Sequence, residues 1–229
     1  MARQLAGWMA VAALTLVPAA PALAAAKGGT DDGLVVQRLL DLAHDKGAGP
    51  QKRADAWVAL ARRGLPAKVA VPAMADFLLE LRASTNKAGR YHPDTVAAFI
   101  KLMPAFGAYG AEAAPAAPLL ADVLVSQTMK VNYEAPEVDV NAAAAVALGK
   151  TGTPKALAVL VKAVSVDRSE VVRGACIEGL AYLALTRRSS IATEAQARLK
   201  VIAETDESSG LREKASLYES WVQALQYFY

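Results

Sequence analysis

From Leu34 onward the apolar residues recur at helical spacing and are interrupted at intervals by glycine or proline. Leu34, Val35, Leu39, Leu40 and Leu42 form one face that stops before Gly47, Gly49 and Pro50, predicting an N-terminal helix over 34–46. KRADAWVALARRG and LPAKVAVPAMADFLLEL follow as a pair, Gly64 closing the first helix and Pro66 opening the second. TVAAFIKLMPAFGAYG, with a kink expected at Pro104, and AEAAPAAPLLADVL form the next pair. A third turns around Gly149-Lys150-Thr151-Gly152, a fourth joins 171–185 to 191–204, and a fifth begins at Ser208, a good helix N-cap. The last helix runs through Trp221 and is expected to close the array.

The pattern copies itself. Val140-Asn141, Ala144 and Leu148 are matched by Val172-Arg173, Cys176 and Leu180 at an offset of 32. Gly64, Ala67, Pro72 and Asp76 fall on Gly110, Ala113, Pro118 and Asp122 at an offset of 46. Gly107 and Gly110 meet Gly149 and Gly152 at 42, and Asp167, Ser169 and Val172-Arg173 meet Asp206, Ser208 and Leu211-Arg212 at 39. Self-similarity at such periods, on helical hairpins, signals an all-α solenoid in which each repeat contacts only its neighbours. About four to five hairpins are expected, with a cap helix at each end. Two connections, 82–94 and 131–139, are long and polar, the kind of insertion that sits on one edge of an array and carries binding.

Composition agrees: 54% hydrophobic but only 6% aromatic, so helices must pack closely through small side chains. A net charge of +3, with 25 lysines and arginines against 22 acidic residues, lacks the basic excess that a phosphate backbone requires, and nucleic acid is excluded as a partner class. Residues 1–26 read as a secretory signal: Arg3, an apolar run from Leu5 to Val17, Pro18 and Pro21, then Ala22-Leu23-Ala24, with cleavage expected after Ala24 or Ala26. The run is shorter than the roughly 18 residues that a spanning helix needs. Residues 27–33 are then a flexible polar lead and 34–229 the repeat domain, placed across the cytoplasmic membrane in the periplasm or cell envelope with no stable membrane span. Cys176 is the single cysteine, so stability there must come from packing and no internal disulfide can form.

Over 51–220, and most clearly 98–184, the chain resembles the HEAT-like repeats, including the subtype named after phycobilisome lyases, in which V-R-x-x-A-x-x-A-L-G-x-x-G precedes an alanine- and proline-rich second helix. The resemblance implies an aspartate–arginine ladder between stacked repeats, at Asp167 with Arg173 and Asp206 with Arg212, with a structural role. Phe99 and Asn141 stand where the family has arginine, and Gly179-Leu180 reverses the usual order. It also implies second helices along the concave side. Asp76, Glu80 and Asp122 would form an acidic strip there, and Lys155 and Lys162 would change its sign, giving a polar groove for a partner, against the alternative of a merely solvated face. Bilin attachment, the chemistry of some relatives, is not implied by fold kinship.

Catalytic patterns are missing from the sequence. G-x-S-x-G, G-x-G-x-x-G and the full Walker-type G-x-x-x-x-G-K-[ST] do not occur, since Gly149-Lys150-Thr151 has Ala144 where that pattern needs its first glycine, and His44 and His92 are too far apart in sequence to suggest a metal site. No cofactor is expected, and Cys176 reads as a small buried residue. Tyr218, Trp221, Tyr227, Phe228 and Tyr229 are expected to seal the last repeat, or, in a sharper reading, to offer Tyr227, Phe228 and the Tyr229 carboxylate to a peptide-binding domain. The chain is therefore expected to be a non-enzymatic scaffold that binds an envelope protein or peptide, with self-association through its ends possible. The competing expectation is a small-ligand or lyase-like site in the long loops, near Tyr91, His92 and Asp94 or near Tyr133 and Glu134.

Overall fold

The computed structural model describes residues 30–84, 91–126, 140–166, 169–186 and 189–228. Ten α-helices follow one another among them: α1 (Thr30–His44), α2 (Pro50–Arg62), α3 (Ala67–Ala83), α4 (Pro93–Tyr109), α5 (Ala117–Val125), α6 (Val140–Lys150), α7 (Pro154–Val166), α8 (Glu170–Ala184), α9 (Ser189–Thr205) and α10 (Ser209–Phe228). The chain is an all-α solenoid. The expected signal, 1–26, lies outside the described residues. Helix α1 opens at Thr30, inside the stretch read as a lead, with Asp32 in its first turn, where an acidic side chain favours the positive helix end.

Helix α4 continues from Pro93 through Pro104 to Tyr109. One local expectation changes. The segment after α4, expected as one helix, divides into a 3-10 turn, Gly110–Ala116, and then α5, because Pro115 and Pro118 remove two amide donors from the join. Gly64, Gly110 and Gly152, with φ of 75°, 55° and 65°, make the left-handed turns that end α2, α4 and α6.

Each even-numbered helix packs against the odd-numbered helix before it more extensively than against the one after it, except at α8, which packs equally against α7 and α9. Up to α7 this pairing is one helix out of step with the one suggested by the glycine turns.

Even-numbered helices also form the tighter of the two layers. At α6–α8 the backbones touch: a Cβ on Gly149 would run into the Gly179 carbonyl oxygen, and one on Gly179 would lie 2.7 Å from that of Ala145. In the odd-numbered layer, α7 and α9 stand apart around an open cleft of about 340 Å³ lined by Leu157, Ala158, Val161 and Ile191. In a two-layer array the layer with the shorter spacing lies at the smaller radius. The even-numbered helices therefore face inward, whereas the glycine-turn pairing had placed the odd-numbered helices, its second helices, on the concave side.

Candidate functional site

One position in the first turn of four of the five inner helices, α2, α4, α6 and α8, carries a buried polar residue: Arg53, Thr95, Asn141 and Arg173. Three residues later stand Ala56, Ala98, Ala144 and Cys176, and seven later Leu60, Leu102, Leu148 and Leu180, all buried. The register thus passes through Thr95, one turn before Phe99. Phe99 instead fills the core and meets the Tyr91 ring edge-on, with centroids 5.4 Å apart. The sequence match at glycine misplaced it because α4 extends the repeat by a turn.

Arg53 and Asn141 satisfy the C-terminal ends of neighbouring helices. Arg53 donates from Nε to the Ala43 carbonyl (3.0 Å) and from Nη1 to Glu80 (2.8 Å), with its guanidinium 4.3 Å from the Phe77 ring centre. Asn141 donates to the carbonyls of Leu124 (2.6 Å) and Ser126 (3.2 Å). Arg173 reaches forward, donating to Asp206 (3.2 Å) and Glu207 (3.1 Å) in the turn before α10. Asp206 also accepts from the Ser208 amide, while Arg212 donates to the backbone carbonyls of Asp206 (2.6 Å) and Glu207 (3.2 Å). Among the residues named for the ladder, Arg173 and Asp206 make the rung between repeats, and Asp167 lies outside the described residues.

The strip residues are on the outer layer. Asp76, Lys155 and Lys162 are exposed. Glu80 is held by Arg53 and lies 3.9 Å from Lys46, and Asp122 lies 3.8 Å from Arg82 on the neighbouring outer helix, so local cations offset two of the three carboxylates. The side chains of Tyr227 and Phe228, and Tyr229 entirely, fall outside what is described, as do Tyr133 and Glu134.

The loop candidates have local roles. Tyr91 donates to the Arg82 carbonyl (3.1 Å), His92 caps α4 by accepting from the Asp94 amide, and Asp94 accepts from Gln51 (2.8 Å). His44 lies edge-on to Trp57, and Cys176 is fully buried.

On the inner layer, half-buried ionisable groups gather. Tyr109 donates to the Leu65 carbonyl (3.0 Å), and its phenol is pushed up to about 12, first by burial and then by Glu112. Lys150 crosses Gly107 and lays its ammonium 4.4 Å from the Tyr182 ring centre; Lys214 lies against Gly174, 5.8 Å from the Tyr218 ring centre. Burial pushes both lysines below their ordinary values, with Glu178 pulling the other way. Burial, followed by Glu178, pushes the Tyr218 phenol up, and Tyr218 packs edge-on to Trp221 at 5.9 Å. Sequence reading passed over this group because Glu178, Lys214 and Tyr218 share no motif. Their i, i+4 spacing on α8 (Gly174, Glu178, Tyr182) and α10 (Lys214, Tyr218) was the available signal.

No helix among the described residues is long and apolar enough to cross a membrane. A family model described as HEAT repeats matches residues 93–181 and, overlapping them, 134–218, together more than half of the chain. No curated protein and no solved structure matches it.

Proposed function

Because the chain belongs to the HEAT-repeat family, whose arrays are in general protein-interaction scaffolds, we propose that it is a non-enzymatic scaffold of the bacterial periplasm or cell envelope that receives a partner protein in its concave groove. The observation that carries the groove is the close spacing of the inner helices, which bends the array around a face of half-buried side chains. Export is supported by the signal-like residues 1–26, whose basic start, short apolar run and A-x-A end fit cleavage after Ala24 or Ala26. The lyase-like alternative gains no support from Tyr91, His92 and Asp94, which are engaged in capping and packing.

Site-specific photo-crosslinking in a bacterial cell tests this reading. A crosslinker at Ala143 on the inner face is expected to capture a defined envelope protein, and one at Lys155 on the outer face is not. Mature protein recovered from the periplasmic fraction is expected to begin at Ala25 or Lys27. Capture of the same protein from both faces, or retention of an uncleaved chain in the cytoplasm, would sink the groove or the location respectively.

A further inference from the structure

The inner face is not uniform in charge. In the N-terminal half, Lys101 of α4 is neutralised by Asp55 of α2 at 2.8 Å. Toward the C-terminus, Lys150 and Lys214 have no carboxylate within 4 Å among the described residues; each leans on an aromatic ring instead. Glu178 stands between them, close enough to act on both lysines and on the Tyr218 phenol. Two cations against one anion leave this patch with a surplus positive charge, beside the half-buried rings of Tyr182, Tyr218 and Trp221.

Resting on the scaffold reading, we propose that the inner face of the last repeats is a docking surface for an extended acidic segment of a partner protein, with carboxylates at Lys150 and Lys214 and intervening residues across Tyr182, Tyr218 and Trp221. The two ammoniums approach α8 from opposite flanks, one beside Tyr182 and the other beside Gly174. Eight residues of helix rise roughly 12 Å, too far for one carboxylate or phosphate to bridge. An extended chain covers that span in three to four residues at about 3.3 Å each. Acidic side chains at that separation match the lysines, and the aromatic shelf between them favours a peptide with flat or apolar residues in the interval. Burial lowers the cost of replacing water here, since both lysines are already partly desolvated.

Fluorescence anisotropy on the full chain tests the proposal with two synthetic probes of equal length, a Glu/Tyr-repeat peptide and a Lys/Tyr-repeat peptide. The acidic peptide is expected to bind, more weakly as salt is raised, and the basic one is not. Combining Lys150→Gln with Lys214→Gln is expected to weaken acidic-peptide binding about tenfold or more, while Lys155→Gln with Lys162→Gln on the outer face leaves it within about twofold. Lys150→Arg with Lys214→Arg, which keeps both charges, is expected to retain most of the binding, and circular dichroism verifies the fold of each variant. Equal binding of the two peptides, no binding of either, or equal loss from the inner and outer pairs overturns the acidic docking site. If that happens while Ala143 still captures its protein in cells, the scaffold reading survives without it. If capture also fails, both fall.

Discussion

The N-terminal α2–α4 contact and the C-terminal α6–α8 contact belong to the same inner layer, yet they are built from opposite materials. Between α2 and α4 the space is filled by Trp57, Leu60, Phe99, Leu102 and Phe106, all nearly or fully buried. Between α6 and α8 there is almost no space to fill: Gly149 and Gly179 allow backbone to meet backbone, with Ala144, Ala145 and Cys176 around them. Large side chains on one side and missing side chains on the other both give continuous packing, but they fail differently. The first should be harmed most by removing atoms and the second by adding them.

The largest effect is expected at the glycines. Gly179→Ala places a methyl group against the Ala145 carbonyl and Leu160, and Gly149→Ala places one against the Gly179 backbone. Neither backbone can yield without separating two repeats, so each substitution is expected to cost more than about 3 kcal/mol in urea unfolding. A loss of under about 1 kcal/mol would show that the helices are not in backbone contact. Trp57→Ala comes next, at about 3–5 kcal/mol for a fully buried indole. Trp57→Phe is expected to cost only about 1–2 kcal/mol, because the indole Nε1 has no hydrogen-bond acceptor among the described residues.

The two register arginines sharpen the same comparison. Arg173 faces Asp206, whose side chain is 11% exposed, whereas Arg53 faces Glu80, which is 41% exposed and also near Lys46. Removing Arg173 strands a shielded carboxylate; removing Arg53 leaves one that water can reach. Arg173→Met is therefore expected to cost about 2–4 kcal/mol at neutral pH and Arg53→Met about 1 kcal/mol, each keeping most of its stem packing. Adding Asp206→Asn to Arg173→Met should recover part of the loss, and a double-mutant cycle measures that coupling.

Much of this was legible before the structure. Helical spacing, the three turn glycines and the copied Ala and Leu positions carry the solenoid, because each is a local requirement of one helix or one turn. The direction of curvature was not legible. It depends on the spacing between repeats, which is set by pairs such as Gly149 and Gly179 that lie thirty residues apart and look like ordinary helix glycines in the sequence. Glu80 and Asp122 illustrate the same limit for sites: their equivalence to a strip was visible, but Arg53, Lys46 and Arg82, which offset them, come from other helices. Lys150 and Lys214 went unnoticed for the converse reason, since their shielding arises only where three helices meet.

Gly107 gives the smallest and most discriminating test. It sits in α4 opposite Lys150, and a Cβ there would come 3.0 Å from the lysine Cδ and 3.9 Å from the Ala147 backbone. The close neighbour is thus a flexible stem, unlike the rigid carbonyls that face Gly149 and Gly179. Gly107→Ala gains up to about 1 kcal/mol from helix propensity and loses a comparable amount if the Lys150 stem must leave its track. The net change in stability is expected within about 0.5 kcal/mol. Lys150 should nevertheless move off Tyr182, so the Gly107→Ala chain should unfold normally yet bind the Glu/Tyr-repeat peptide more weakly. A loss as large as that of Gly179→Ala would mean that Lys150 is as immovable as backbone. Its ammonium would then be fixed in the packing and unable to turn toward a partner.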